Sequence, residues 1–160
     1  IVMTLLNHPD ATKQFERAIV INPSDATAHA GLGMALIMDG EPDFGIPHLD
    51  WALQLSPRDP RIAMYFGFLA HGHLTAGRYD VAAEKAREAR NLRPNSPEPY
   101  LLLAAALGHL GRLDEANTAL TACERIQSGY ALPSNWAHHY THEKDNEHFL
   151  EGLRKSELPE

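Results

Sequence analysis

A 34-residue period runs through most of this chain of 160 residues. Pro23 and Pro57 are 34 residues apart, and Gly77 and Gly111 repeat that spacing. Each glycine separates two helix-like stretches, and each proline closes the second of them. A fixed period of this length is typical of stacked helical hairpins, because a single hairpin cannot bury its apolar face alone. The chain is therefore expected to be all-α, and arrays of this kind mostly act as surfaces that hold partners.

Small and apolar residues recur at fixed positions in each unit. Small residues let two helices approach closely at a crossing, and larger neighbours fill the space around the contact. The first helices carry His29-x-x-Leu32-Gly33, Phe66-x-x-Leu69-Ala70 and Tyr100-x-x-Leu103-Ala104. The second helices carry Gly45-x-x-x-Leu49-x-x-Ala52, Ala82-x-x-x-Ala86-x-x-Ala89 and Ala116-x-x-x-Leu120-x-x-Cys123, and a leading half-unit carries Ala11-x-x-x-Phe15-x-x-Ala18.

This pattern resembles the tetratricopeptide repeat, which has an aromatic residue, Leu-Gly, Ala, Phe, Ala and Pro at these spacings. The resemblance implies a helical solenoid of about three and a half repeats: a half repeat over 9–23 and repeats over 26–57, 61–94 and 97–128. Gly40, Gly77 and Gly111 are expected to end the first helices in the left-handed conformation. Pro57 and Pro94 are 37 residues apart, so the extra residues between those units are expected to open or tilt the stack.

The period ends near Ser128, and residues 131–160 are expected to form an irregular linker followed by a C-terminal capping helix. A terminal repeat needs a cover for its exposed apolar face. The stretch 145–155 has a helical pattern with Phe149, Leu150 and Leu153 on one side, and Trp136 is a candidate anchor for the linker.

The charge balance excludes several partner classes. Lys and Arg number 14 and Asp and Glu number 21, so the formal net charge is −7. This disfavours binding to nucleic acid or to anionic lipid, both of which attract a basic face. No apolar run reaches the roughly 18 residues that a membrane span needs. A single cysteine fits a reducing, cytoplasmic compartment. The chain does not begin with Met, and we interpret it as a piece of a longer protein.

The first helices of the resembled fold line a concave face, which is the candidate binding groove. Its inward positions are Met34, Ile37, Met38, Met64, Phe68, His71, Thr75, Leu101, Leu102 and His109. These residues include no Lys, Arg or Asn, so a groove that holds a terminal carboxylate is disfavoured. We expect an apolar or helical segment of a protein or peptide partner to bind there. The alternatives are that the protein's own tail or a second copy fills the groove.

Self-assembly as a homodimer is a separate possibility. The leading half-unit lacks most of its partner helix, so Phe15, Ala18 and Ile19 are expected to be exposed. An exposed apolar face of this kind invites a second chain.

The residues that could carry catalysis or bind a metal do not form a pattern that predicts a cofactor, a metal site or an enzymatic activity. His138 and His142 are four residues apart and would share a metal only on a helix, and the tail histidines are better explained by a solvated histidine-rich loop. Cys123 occupies a small packing position, so we expect a buried thiol and not a nucleophile. No glycine-rich phosphate loop is present. The predicted function is therefore non-enzymatic.

The tail carries a second resemblance. The ending His148-Phe149-Leu150-Glu151-Gly152-Leu153-Arg154-Lys155-Ser156-Glu157-Leu158-Pro159-Glu160 is similar to that of bacterial class III adenylate/guanylate cyclase-like proteins that carry tetratricopeptide repeats. Segments 55–60 and 103–116 are similar to the same group. This implies the C-terminal part of a bacterial signalling protein. The alternative function is a homo-oligomerisation or regulatory domain of such an enzyme.

Overall fold

The computed structural model describes residues 10–136 and 139–156, and over these residues it contains nine helices and no strand. The predicted all-α architecture is confirmed. None of the helices in the described ranges has the length and apolar character needed to cross a membrane. The helices are α1 Ala11–Ile21, α2 Ala26–Met38, α3 Pro42–Leu55, α4 Ile62–Thr75, α5 Tyr79–Leu92, α6 Glu98–His109, α7 Leu113–Ile126, α8 Pro133–Trp136 and α9 Glu143–Ser156.

The period-defining glycines end the first helices, as predicted. Gly40, Gly77 and Gly111 have φ values of +77°, +73° and +71°. The amide of Gly40 donates to the carbonyl of Ile37 at 3.2 Å, and the next amide donates to the carbonyl of Leu36 at 2.9 Å. The other two turns repeat both bonds. This pair of hydrogen bonds satisfies the last carbonyls of the helix. It requires a residue that tolerates positive φ, which is why glycine recurs.

Three helical hairpins follow α1, formed by α2 with α3, α4 with α5 and α6 with α7. The first hairpin shows why its crossing residues are small. A Cβ atom added to Gly33 would lie 2.7 Å from the carbonyl oxygen of Gly45, and one added to Gly45 would lie 2.6 Å from that of Gly33. The equivalent alanines of the later hairpins are buried: Ala70, Ala82, Ala104 and Ala116. The predicted crossing is therefore confirmed for the first hairpin, and the burial of these alanines agrees with the same role in the other two.

The extra residues after Pro57 form a turn between α3 and α4. Helix α3 contacts α4 less extensively than α5 contacts α6, so the two units pack more loosely here than the next two do. The turn is held by Asp59, which accepts hydrogen bonds from the Arg61 amide and guanidinium at 2.8 Å. These bonds lower the pKa of Asp59 to about 2. Arg61 also donates to Thr27 Oγ1 at 3.0 Å, which ties the turn back to α2.

Helix α9 closes the array, as the sequence predicts. It lies mainly along α6 and less extensively against α7 and α4. Its apolar side chains Phe149, Leu150 and Leu153 are buried in the same core as the repeats. The following helix of a continuing array would instead pack mainly on the second helix before it, as α6 packs on α5. The tail therefore covers the first-helix side of the last unit and not only its end.

Candidate functional site

The concave face is the side that the first helices α2, α4 and α6 share, and the chain after α7 folds back across it. The loop before α9 is tied to the end of α2 by two hydrogen bonds. The amide of Thr141 donates to the carbonyl of Met38 at 3.0 Å, and His142 Nε2 donates to the carbonyl of Asp39 at 2.9 Å. Asn146 braces the loop, because its side chain bonds both the amide and the carbonyl of Tyr140. The tail thus spans the array from its first unit to its last.

Two glycines allow α9 to approach α6 closely. A Cβ atom added to Gly152 would lie 2.5 Å from the carbonyl oxygen of Ala105 and 2.7 Å from the ring of His109. A Cβ atom added to Gly108 would collide with the carbonyl oxygen of Gly152. Backbone carbonyls cannot move aside as a flexible side chain can, so this crossing requires glycine on both helices.

A stack of three rings joins the tail to two repeats. The ring of His109 lies between Tyr79 and His148, with ring centroids 4.5 Å and 4.4 Å away. His109 Nε2 donates to the carbonyl of His148 at 2.9 Å. The Tyr79 hydroxyl and His148 Nε2 are 3.1 Å apart and share a hydrogen bond. Burial is the main cause of the lowered pKa of His109, so the stack favours the neutral imidazole.

A second cluster of rings is buried deeper in the concave face. His71 Nδ1 and the Tyr140 hydroxyl are hydrogen-bonded at 2.5 Å. The ring of Phe149 lies 6.2 Å from that of His71. The ring of His139 stacks on the His71 ring, with the centroids 4.7 Å apart. Burial, followed by the neighbouring His71, lowers the pKa of His139 to about 3. Trp136 packs on His139 and donates through Nε1 to the carbonyl of Tyr130 at 2.8 Å, so it anchors the linker.

The predicted groove residues are therefore not an open surface. Seven of the ten are buried: Met34, Ile37, Met38, Phe68, His71, Leu101 and Leu102. Met64, Thr75 and His109 keep partial exposure. Ile37 lies in the interior, because Gly45 and Gly72 leave room for its side chain between α2, α3 and α4. Two of the ten residues are in direct contact with the tail: His71 is hydrogen-bonded to Tyr140, and His109 is hydrogen-bonded to His148.

One cavity of about 530 Å³ remains at the edge of the concave face, where α4 and α6 begin. We call it the aromatic pocket. Its lining residues are Met64, Phe68, Glu98, Gln127, Tyr130, Asn135, Trp136 and His139. Met64 and Phe68 come from the predicted groove, whereas Trp136 and His139 come from the tail. The Glu98 side chain is 41% exposed, and its Oε1 lies 3.5 Å from His71 Nε2. The pocket is therefore lined by array and tail together.

The tail histidines require a correction. A solvated loop is wrong for His139 and His148, because aromatic rings from the repeats and the linker pack against both. His138 lies outside the described residues, and His142 bonds the carbonyl of Asp39. Within 10–136 and 139–156, no three His, Cys, Asp or Glu side chains are grouped so that they could hold a metal ion. Cys123 is buried as predicted, and burial raises the pKa of its thiol to about 12.

The sequence patterns did not predict the residues that dock the tail, chiefly Gly108, Gly152, Tyr140 and Asn146. One signal was available, because Gly108 and Gly152 lie within helices and have no positive φ that would require glycine. A glycine at such a position often marks a close helix contact. The partners of Tyr140 and Asn146 carry no comparable periodic signal.

Comparisons with known proteins agree with this architecture. Residues 69–131 match the family model described as Tetratricopeptide repeat. No curated protein matches the sequence. Among solved structures, "Crystal structure of MamA" is 16% identical with a TM-score of 0.68, covering 91% of this chain and 84% of that chain. The structure described as "MamA MSR-1 C2" is 22% identical to this chain, with a TM-score of 0.64. The match covers 72% of this chain and 65% of that chain, so this chain spans less than two thirds of the length of that structure.

A third similar structure is described as "YrrB: a TPR protein with an unusual peptide-binding site". It is 21% identical with a TM-score of 0.63, covering 91% of this chain and 74% of that chain. At these identities the likeness concerns the fold. Three hairpins with glycine turns, small crossing residues and a family match over 69–131 agree with one another. The chain therefore has the fold of a tetratricopeptide-repeat solenoid, closed by a C-terminal helix.

Proposed function

We propose that this chain is a non-enzymatic protein-interaction module that binds a partner segment at the aromatic pocket. The observation that carries the proposal is the pocket itself, where Met64 and Phe68 of the first-helix face remain beside a cavity large enough for side chains of another protein. YrrB, which shares the fold, is described as having a peptide-binding site. The partner segment binds beside the docked tail and continues along the accessible edge of the concave face.

The predicted groove residues take two roles in this proposal. Met64 and Phe68 contact the partner directly because they line the pocket. Thr75 and His109 form the outer part of the same face. The buried members hold the helices and the tail in place: Met34, Ile37, Met38, Leu101 and Leu102 through the apolar core, and His71 through its bond to Tyr140. Apolar burial supplies the affinity, at roughly 25 cal/mol per Å² before the costs of ordering.

Met64→Lys is expected to weaken binding of a partner isolated with the unchanged protein by about tenfold or more, while helical content stays the same. Met64 is only partly buried, so an ammonium group at this position remains hydrated, whereas the partner loses an apolar contact worth about 1.5–3 kcal/mol. Binding is measured by calorimetry and helicity by circular dichroism. Trp51→Lys on α3 is the matched control, since Trp51 is 45% exposed and does not line the pocket. Loss of binding in the control alone would place the site on the second helices.

Self-association is a second candidate function, favoured by the exposed end of α1. Val20 and Ile21 are 82% and 85% exposed and border a shallow cleft of about 500 Å³ with Lys13, Glu16 and Arg17. Two such faces would bury one another's apolar side chains in a homodimer. We expect a concentration-dependent dimer in sedimentation experiments that Ile21→Lys converts to a monomer. A strict monomer at high concentration contradicts this candidate.

The wider context follows the sequence resemblances. We propose that the chain is the C-terminal part of a bacterial, cytoplasmic signalling protein, with regulation of a cyclase-like enzyme as the alternative. The tail residues that carry this resemblance begin at His148, and 157–160 lie outside the described residues. The family match at 69–131 ends before that segment, so the cyclase-like association stays a prediction.

A further inference from the structure

We propose that the aromatic pocket recognises a lysine or arginine side chain of the partner segment. The inference rests on the proposed function and adds the chemistry of the segment that binds. The pocket combines aromatic rings, an apolar floor and one carboxylate, which suits a cationic group carried on an aliphatic stem.

The walls of the pocket suit such a side chain. Phe68, Tyr130 and Trp136 bring three aromatic rings to one cavity. The rings of Tyr130 and Trp136 meet edge to face, with centroids 5.3 Å apart and an interplanar angle of 69°. The indole N–H of Trp136 is already bonded to the Tyr130 carbonyl, so it is not available as a donor to the ligand. A cation near aromatic faces is attracted by their electron density, and its stem packs on Met64.

The charge of the pocket has one sign. Among the described residues that line the pocket, Glu98 is the only acidic or basic side chain besides His139, which is held in its neutral form. Glu98 Oε1 is 3.5 Å from His71 Nε2, which is too long for a good hydrogen bond. The carboxylate can therefore accept from an incoming ammonium or guanidinium group. Asn135 donates through Nδ2 to the Gly129 carbonyl, which leaves its side-chain oxygen as a further acceptor for the ligand.

The alternatives fit less well. An acidic side chain would meet Glu98 without a lysine or arginine in the lining to offset the repulsion. A fully apolar segment would cover the Glu98 carboxylate and remove its water without supplying a partner, which is costly for a charged group. The formal net charge of −7 also attracts a basic segment and accelerates its encounter with the array.

The test uses four ten-residue peptides that are identical except for a central lysine, arginine, norleucine or glutamate. Each is titrated into the ¹⁵N-labelled full chain, and the indole N–H resonances are followed. We expect the lysine and arginine peptides to shift Trp136 and not Trp51, which does not line the pocket and serves as an internal reference. Their affinity should exceed that of the norleucine peptide by about tenfold or more, as for a charge-assisted contact.

Glu98→Gln should remove the preference for lysine over norleucine, because the shape stays and the charge is lost. Glu84→Gln, at an exposed position on α5, is the matched control and should keep it. Equal binding of the lysine and norleucine peptides at Trp136 would overturn the cationic inference and leave the proposed function standing. Failure of all four peptides to shift Trp136 would overturn both.

Discussion

Gly152→Ala is expected to destabilise the protein by about 1–3 kcal/mol and to release α9 from the repeats. The added methyl group would lie 2.5 Å from the carbonyl oxygen of Ala105, which belongs to the backbone of α6 and cannot rotate away. Alanine has a higher helix propensity than glycine by about 1 kcal/mol, which opposes this effect. The net destabilisation is therefore the cost of the steric clash minus that gain. Gly108→Ala meets the other side of the same crossing and should have a similar effect.

Gly67→Ala provides the matched control for this prediction. Gly67 lies within α4, and a Cβ atom added there meets nothing within 4 Å. It should therefore be neutral or stabilising by up to about 1 kcal/mol, from helix propensity alone. Thermal unfolding reports the stability, and hydrogen exchange of the α9 amides reports docking. If Gly152→Ala matches the unchanged protein in both measurements, α9 does not cross α6 at these glycines.

Lowering the pH from 7.5 to 5 is expected to weaken tail docking by an amount on the order of 2 kcal/mol. Burial against His71 and Trp136 lowers the pKa of His139 to about 3, whereas a released, solvated histidine titrates near 6.5. Release therefore takes up a proton. The docked state has its full stability above about pH 6.5 and loses about 1.4 kcal/mol per pH unit below it, until the pH approaches 3.

The ring stack at the other end of α9 contributes in the same direction. The pKa of His109 is lowered by burial and by the neighbouring His148 and Lys155, and it is raised by its bond to the His148 carbonyl and by Glu151. Burial is the largest of these effects. Protonation of His109 would therefore also favour an undocked tail, and both histidines lose their stabilising effect as the pH falls.

The measurement is hydrogen exchange of the α9 amides between pH 7.5 and 5, corrected for the intrinsic rate at each pH. His139→Phe keeps a ring for Trp136 and removes the titrating group, so its α9 protection should change less with pH. The array has its own acid-sensitive residues, because burial lowers the pKa of His73 to about 4 and also lowers the pKa of His48. Exchange in α5 is therefore the reference for global unfolding. Equal loss of protection in α5 and α9 would show that the tail does not respond separately.

Local sequence patterns predicted most of the repeat array. Gly40, Gly77 and Gly111 were identifiable because positive φ is costly for other residues and glycine therefore recurs where the turn requires it. Gly33 and Gly45 were identifiable because a helix crossing within one hairpin tolerates only small side chains. The capping helix was identifiable from the spacing of Phe149 and Leu153, which are both buried. Each of these features depends on neighbours within one period.

The state of the concave face could not be predicted in the same way. Met34 and Met38 have the apolar character expected of an open groove, and the same character suits a face that the tail covers. The choice depends on bonds such as those of His71 with Tyr140 and of His109 with His148, which join residues far apart in the chain. The meeting of Glu98 with Tyr130 and Trp136 in one pocket depends on the fold of the linker.

Sequence patterns are enough to predict the hairpins, their crossing points and the closing helix, because backbone preference and the steric demand for small residues act over short distances and repeat with the period. The position of the tail on the first-helix side, and the aromatic pocket with Glu98 beside it, became known from the three-dimensional fold. Those contacts join histidines, tyrosines and glycines from separate elements. Such contacts follow from the packing of whole helices and leave no regular pattern along the chain.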